Sequence, residues 1–140
     1  MLAAFGRHAE RKCQAMAGND VRWWAITLDC NAPHKLAAFW SAVFGSALID
    51  VGPDRPNWLR LQPLGTTGPF MNFQPVEEHK TSKTRLHLDV LVTDLDAEVR
   101  RIVDLGGIDT GIREELARGR IAVMHDPEGN EFCLLAPSAR

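Results

Sequence analysis

Two stretches decide the fold: Ala25-Ile-Thr-Leu-Asp-Cys30, followed by the helical run 33–44 and Gly45, and His87-Leu-Asp-Val-Leu-Val92, followed by 94–105 and Gly106. They are two copies of one strand-to-helix unit. Both strands alternate apolar and polar residues, the mark of a half-buried strand. In the first, Ile26, Leu28 and Cys30 share one face, with Ala25, Thr27 and Asp29 on the other. In the second, Leu86, Leu88, Val90 and Val92 oppose His87, Asp89 and Leu91. Leu36, Phe39, Trp40 and Val43, and then Leu95, Val99, Ile102, Val103 and Leu105, recur at helical spacing. Pro33 suits a first helical turn, Asp94 an N-cap, and Gly45 and Gly106 the helix stops.

After each helix the sequence predicts three short strands. In the first copy they are 47–51, 57–62 and 70–74, separated by the turn clusters 52–56 and 65–69. In the second they are 108–112, 120–125 and 131–135, the last two joined by the turn Asp126-Pro-Glu-Gly-Asn130. The order is βαβββ twice, at a period of about sixty residues, and such self-similarity is the strongest organisational signal in a single chain. The expected fold is α+β, with modules at roughly 21–76 and 84–136 joined by a polar linker at 77–84. One helix covers one face of each sheet, so the other faces are left for each other or for a cleft. The expected architecture is a half-open barrel with a central cleft.

A chain of 140 residues with a net charge of −2 fits one domain and lacks the basic excess of a nucleic-acid surface. No apolar run is long enough to span a bilayer. Cys13, Cys30 and Cys133 match no zinc or redox spacing, so a reduced, cytoplasmic setting is expected. Residues 1–20 read as a flexible extension, with Met16 as an alternative start; 11–16 can form a short helix.

The run Arg85-Leu-His-Leu-Asp-Val90, the helix start at Asp94-Leu-Asp96, the stop at Leu105-Gly106 and the segment 126–133 resemble the vicinal oxygen chelate superfamily. Leu28-Asp-Cys-Asn-Ala-Pro33 with Ala38-Phe-Trp40, and Gly129-Asn-Glu-Phe-Cys133, are most similar to its glyoxalase-like domain subgroup. The resemblance covers roughly 22–136. It implies the paired-module fold, and a homodimer by analogy. Several chemistries share that fold, so chemistry has to be argued from the site.

Metal-using members bind one divalent ion through His, Glu or Gln on the first and last strands of each module. His87 matches one such position. Ala25 stands at its counterpart and offers no donor. Cys133 stands where the second module's carboxylate belongs, and the first module's last strand offers Asn72 or Gln74. One imidazole and one thiol do not make a hard-ion site, so no metal and no cofactor are expected. Polar groups on the strand faces suit a wet binding site instead. His87 is the candidate general base, with Glu131 or Asp89 beside it; Asp89 and Glu131 alternatively bond nearby basic groups or backbone amides. Candidate ligand contacts are Thr27, Asp29, Trp58, Asn72, Gln74, His87, Asp89 and Cys133. Trp40 reads as core, Cys30 as inert on the helix-packing face, and Trp23 and Trp24 as facing opposite ways. The function expected first is a metal-free binder of a small organic molecule. A metal-free enzyme using His87 is second, and a divalent-metal lyase, isomerase or thiol transferase third.

Overall fold

The computed structural model describes residues 23–63 and 68–138. The 1–20 extension, its short helix, Cys13 and most of the 65–69 turn lie outside the described residues. The chain separates into two compact units, Met1–Glu77 and Glu78–Arg140, divided within the polar linker.

Unit 1 runs β1 (Ala25–Cys30), α1 (Pro33–Phe44), β2 (Leu48–Asp50), β3 (Leu59–Leu61) and β4 (Phe70–Pro75). The sheet order is β1-β4-β3-β2, with β1 and β4 parallel and the other pairs antiparallel. Pro33 occupies the first turn of α1, where its missing N–H costs nothing. Gly45 ends the helix in the left-handed region at φ 62°, a conformation that strains any residue with a Cβ. The buried stripe Leu36, Ala37, Phe39, Trp40 and Val43 packs on β3 and β4, where Leu61, Met71 and Phe73 are buried. Cys30, at 1% exposure, belongs to this core.

Unit 2 runs β5 (Asp89–Leu91), α2 (Leu95–Asp104), β6 (Ile108–Leu116), β7 (Gly119–His125) and β8 (Glu131–Pro137), in sheet order β5-β8-β7-β6. The Asp94 carboxylate caps α2 by accepting the Ala97 N–H at 2.9 Å. Leu95, Val99 and Ile102 are buried, as are Ala122, Met124, Phe132 and Leu134 of the sheet. A Cβ at Gly107 would lie 2.6 Å from Ile102 Cγ2 and 3.0 Å from the Ile102 carbonyl oxygen, so only glycine lets the chain leave α2 this closely. In the 126–130 turn, the fully buried Asp126 carboxylate accepts the backbone N–H groups of Glu128 and Asn130.

The two four-stranded mixed sheets, each with one helix, are the expected α+β pair of βαβββ modules. Three elements differ from the sequence reading. The strand expected at 86–92 is regular only over Asp89–Leu91. The register setting Asp89 beside Cys133 leaves 85 and 86 beyond the first residue of β8, and Leu86 is 64% exposed. Pairing with β8 starts at Leu88, whose carbonyl accepts the Cys133 N–H at 2.9 Å. β6 extends past Ile112 to Leu116, because its acidic tail pairs with β7 after an irregularity between Asp109 and Arg113. There Gly111 takes φ 78° and Arg113 bonds the Asp109 carboxylate through two nitrogens at 2.8 Å. Trp58, read as a strand residue, precedes β3. Among the described residues no helix is long and apolar enough to cross a membrane.

Candidate functional site

In unit 2, parallel pairing of β5 with β8 places Asp89 beside Cys133, and His87 lies two residues before Asp89. Ligand-type atoms of His87, Asp89 and Cys133 all lie within 4.8 Å of one another. His87 Nε2 is 3.4 Å from Asp89 Oδ1, with both side chains about half in solvent or more, at 45% and 64% exposure. Burial pushes the Cys133 thiol up, and the Asp89 charge and hydrogen bond push it further. The sulfur is therefore held as a thiol, a weak nucleophile.

Glu131 begins β8 and faces the linker. Its carboxylate accepts the Thr84 N–H at 3.0 Å, the Thr84 hydroxyl, and Lys80 Nζ at 3.2 Å. The Thr84 hydroxyl hydrogen bond leads in holding its pKa down to about 2. A carboxylate this engaged is a weak base; its visible work is to pin the linker to the sheet.

In unit 1, the register pairs Thr27 with Asn72 and Asp29 with Gln74 across β1 and β4, and Arg60 with Asn72 across β3 and β4. Asn72 is buried and doubly engaged. Its oxygen accepts Arg60 Nε at 2.6 Å, and its nitrogen donates to Thr27 Oγ1 at 3.2 Å. Asp29 is exposed and Gln74 half-buried on the same strand pair. Trp58 lies under Arg55, whose guanidinium carbon is 4.4 Å from the ring centroid. Trp23 is 70% exposed, whereas Trp24 is half-buried with its ring 4.9 Å from Phe70.

The structure thus brings together His87, Asp89 and Cys133 in one unit, and Thr27 and Asn72 in the other. The residue that sequence reasoning missed is Arg60. The signal was available: a lone arginine between Leu59 and Leu61 in a strand whose neighbours are apolar. Charged residues are rarely buried without a reason.

These donors do not fit the hard divalent ion of metal-using relatives. Ala25 supplies nothing, the Asn72 oxygen is bonded to Arg60, and Cys133 offers a soft sulfur rather than an oxygen.

Two mixed sheets with βαβββ connectivity define the class, the vicinal oxygen chelate fold of the glyoxalase/bleomycin resistance/dioxygenase superfamily. Residues 25–135 match the family model described as "Glyoxalase-like domain", and the chain belongs to that family. Among solved structures it is similar to a glyoxalase/bleomycin resistance protein/dioxygenase family enzyme from Burkholderia phytofirmans PsJN. That match has TM-score 0.67 and 20% identity, and covers 81% of this chain and 97% of that one. The fosfomycin resistance protein FosX from Listeria monocytogenes matches at TM-score 0.67 and 19% identity, covering 87% and 94% of the two chains. TnmS3, an antibiotic binding protein from Streptomyces sp. CB03234, matches at TM-score 0.59 and 20% identity, covering 87% and 100%. No curated protein matches the chain.

Proposed function

We propose that this chain binds a small organic molecule against the polar sheet faces of its units, without the divalent ion of metal-using relatives. The observation that carries the reading is the setting of His87. Its imidazole is half open to solvent, is oriented by Asp89, and has as its third neighbour a protonated thiol. Such a group can donate or accept a hydrogen bond, or take a proton, at a ligand. Similarity to an antibiotic-binding protein and a fosfomycin resistance protein directs the choice of ligands toward antibiotic-like organic molecules. In this reading His87 is the binding and proton-accepting group, and Glu131 fixes the linker beside it. Asp29, Gln74 and Trp58 are further ligand contacts, and the working form is a homodimer.

A calorimetric screen against antibiotic classes tests it. Binding should weaken roughly tenfold in the His87→Ala protein, the loss of about one hydrogen bond to a polar ligand, while thermal stability stays close to that of the parent. Equal binding by both proteins would remove His87 from the site.

The second reading is zinc, favoured by the three mixed donors of the His87, Asp89 and Cys133 group. Equilibrium dialysis separates the two. Stoichiometric zinc or manganese retained by the parent and lost in His87→Ala would replace the metal-free reading.

A further inference from the structure

Arg60 is a charged side chain held almost out of water. Only 9% of its surface is exposed, and burial together with nearby Arg55 destabilises its charged form. Removing a guanidinium from water is costly unless an opposite charge repays it, and buried arginines ordinarily sit against a carboxylate. Among the described residues Arg60 has no such partner: its one hydrogen bond is from Nε to the neutral Asn72 oxygen at 2.6 Å. Asn72 is itself fixed by Thr27, which sets the orientation of the guanidinium plane. No fully buried side-chain nitrogen or oxygen lacks a hydrogen-bond partner among the described residues, so neither terminal nitrogen of Arg60 is sealed from solvent. The guanidinium carbon stands 4.8 Å from the Phe70 ring centroid and 6.0 Å from that of Trp24, and those two rings contact each other.

We propose that Arg60 is an anion-recognition residue, whose free fork, bordered by Phe70 and Trp24, takes the carboxylate of an aromatic or flat apolar organic acid. The two terminal nitrogens match a carboxylate's two oxygens in a parallel pair of N–H···O bonds. The half-buried Trp24 ring, held against the buried Phe70, supplies apolar contact for the body of the acid. The incoming carboxylate gives the guanidinium the counter-charge that the described residues do not supply. Asn72 and Thr27 act as positioning residues, since they hold Nε and leave the fork outward. The inference deepens the binding reading by naming a ligand class, and it stands on unit 1 alone.

Naphthoate and its neutral analogue naphthamide are the probes, titrated into the full chain by calorimetry and followed by the Arg60 Nε–H resonance in nitrogen-15 spectra. Naphthoate should bind and shift that resonance, and naphthamide should bind roughly tenfold to a hundredfold more weakly, the range for a lost charge-assisted hydrogen-bond pair. Arg60→Gln should lose naphthoate binding to the same extent, with a melting temperature equal to or above that of the parent, because a buried charge has been removed. Should Arg60→Gln fail to fold, the naphthoate-to-naphthamide ratio and the Nε–H shift in the parent still decide. Equal affinity for the two probes, an unmoved Arg60 resonance, or no naphthoate binding at all would overturn the assignment. His87→Ala reports separately on the unit 2 reading: it should leave the Arg60 shift in place.

Discussion

Unit 1 and unit 2 share one connectivity and one strand order, yet their polar residues live in opposite surroundings. In unit 1 a cation and an amide are buried together: Arg60, beside the Phe70 ring, is at 9% exposure and Asn72 at 6%. In unit 2 the set is open and includes an acid: His87 and Asp89 reach solvent beside the half-buried Cys133. The comparison separates two jobs within a repeat. Helix packing needs apolar side chains at particular positions in both copies, whereas the other sheet face is free to diverge in charge, so function can diverge there at little cost to the fold.

The helices differ too. Trp40 of α1 is 1% exposed and stacks with Phe44 at 5.5 Å between ring centroids, whereas α2 buries only aliphatic residues. Trp40→Ala should therefore give the largest effect, a loss of about 3–5 kcal/mol. Hydrogen exchange resolved by residue would show whether the loss stays in unit 1. Equal loss of protection in unit 2 would mean that the two halves unfold as one and that the contrast is one of chemistry only.

The glycines after the helices sharpen the comparison. Gly107→Ala meets the Ile102 side chain and carbonyl, so unit 2 should lose about 1–3 kcal/mol. At Gly45 nothing lies within 4 Å of an added Cβ, and only the left-handed φ resists. Gly45→Ala should cost about 1 kcal/mol. Denaturant melts of the two proteins test the order, and the reverse order would break the steric account.

The smallest expected effect is acidic. Asp109 and Glu131, both in unit 2, have carboxyls held down to about 2, the first by Arg113 and the second by Thr84. Folding lowers both values, so each contributes stability above the ordinary carboxylate range and loses it as the pH falls toward about 2. Between those limits unit 2 should weaken more than unit 1. Glu131→Gln should remove part of that pH dependence and cost about 1 kcal/mol near neutrality. Acid titration followed by hydrogen exchange at 80–84 checks it; identical slopes for parent and variant would show that the Thr84 contact contributes nothing.

Much of the architecture was legible in the chain itself. The repeat, the Pro33 and Asp94 helix starts, the Gly45 stop and the apolar stripes act locally, through backbone angles and periodic burial. The sequence therefore determined two βαβββ units with Trp40 and Ile102 inside. It also determined that Ala25 offers no donor. Strand length was less legible, because β5 and β6 owe their ends to where β8 and β7 provide partner backbone. The chemistry was least legible. Asp89 reaches Cys133, Asn72 reaches Arg60, and Glu131 reaches Thr84 across separations of 44, 12 and 47 residues respectively, or by register alone. Only the tertiary structure decided that Glu131 is a tether, that Cys133 stays a thiol, and that Arg60 is buried without a counter-charge among the described residues. Those properties come from which neighbours exclude water and which supply charge, and neighbours distant in sequence are set by the pairing of strands.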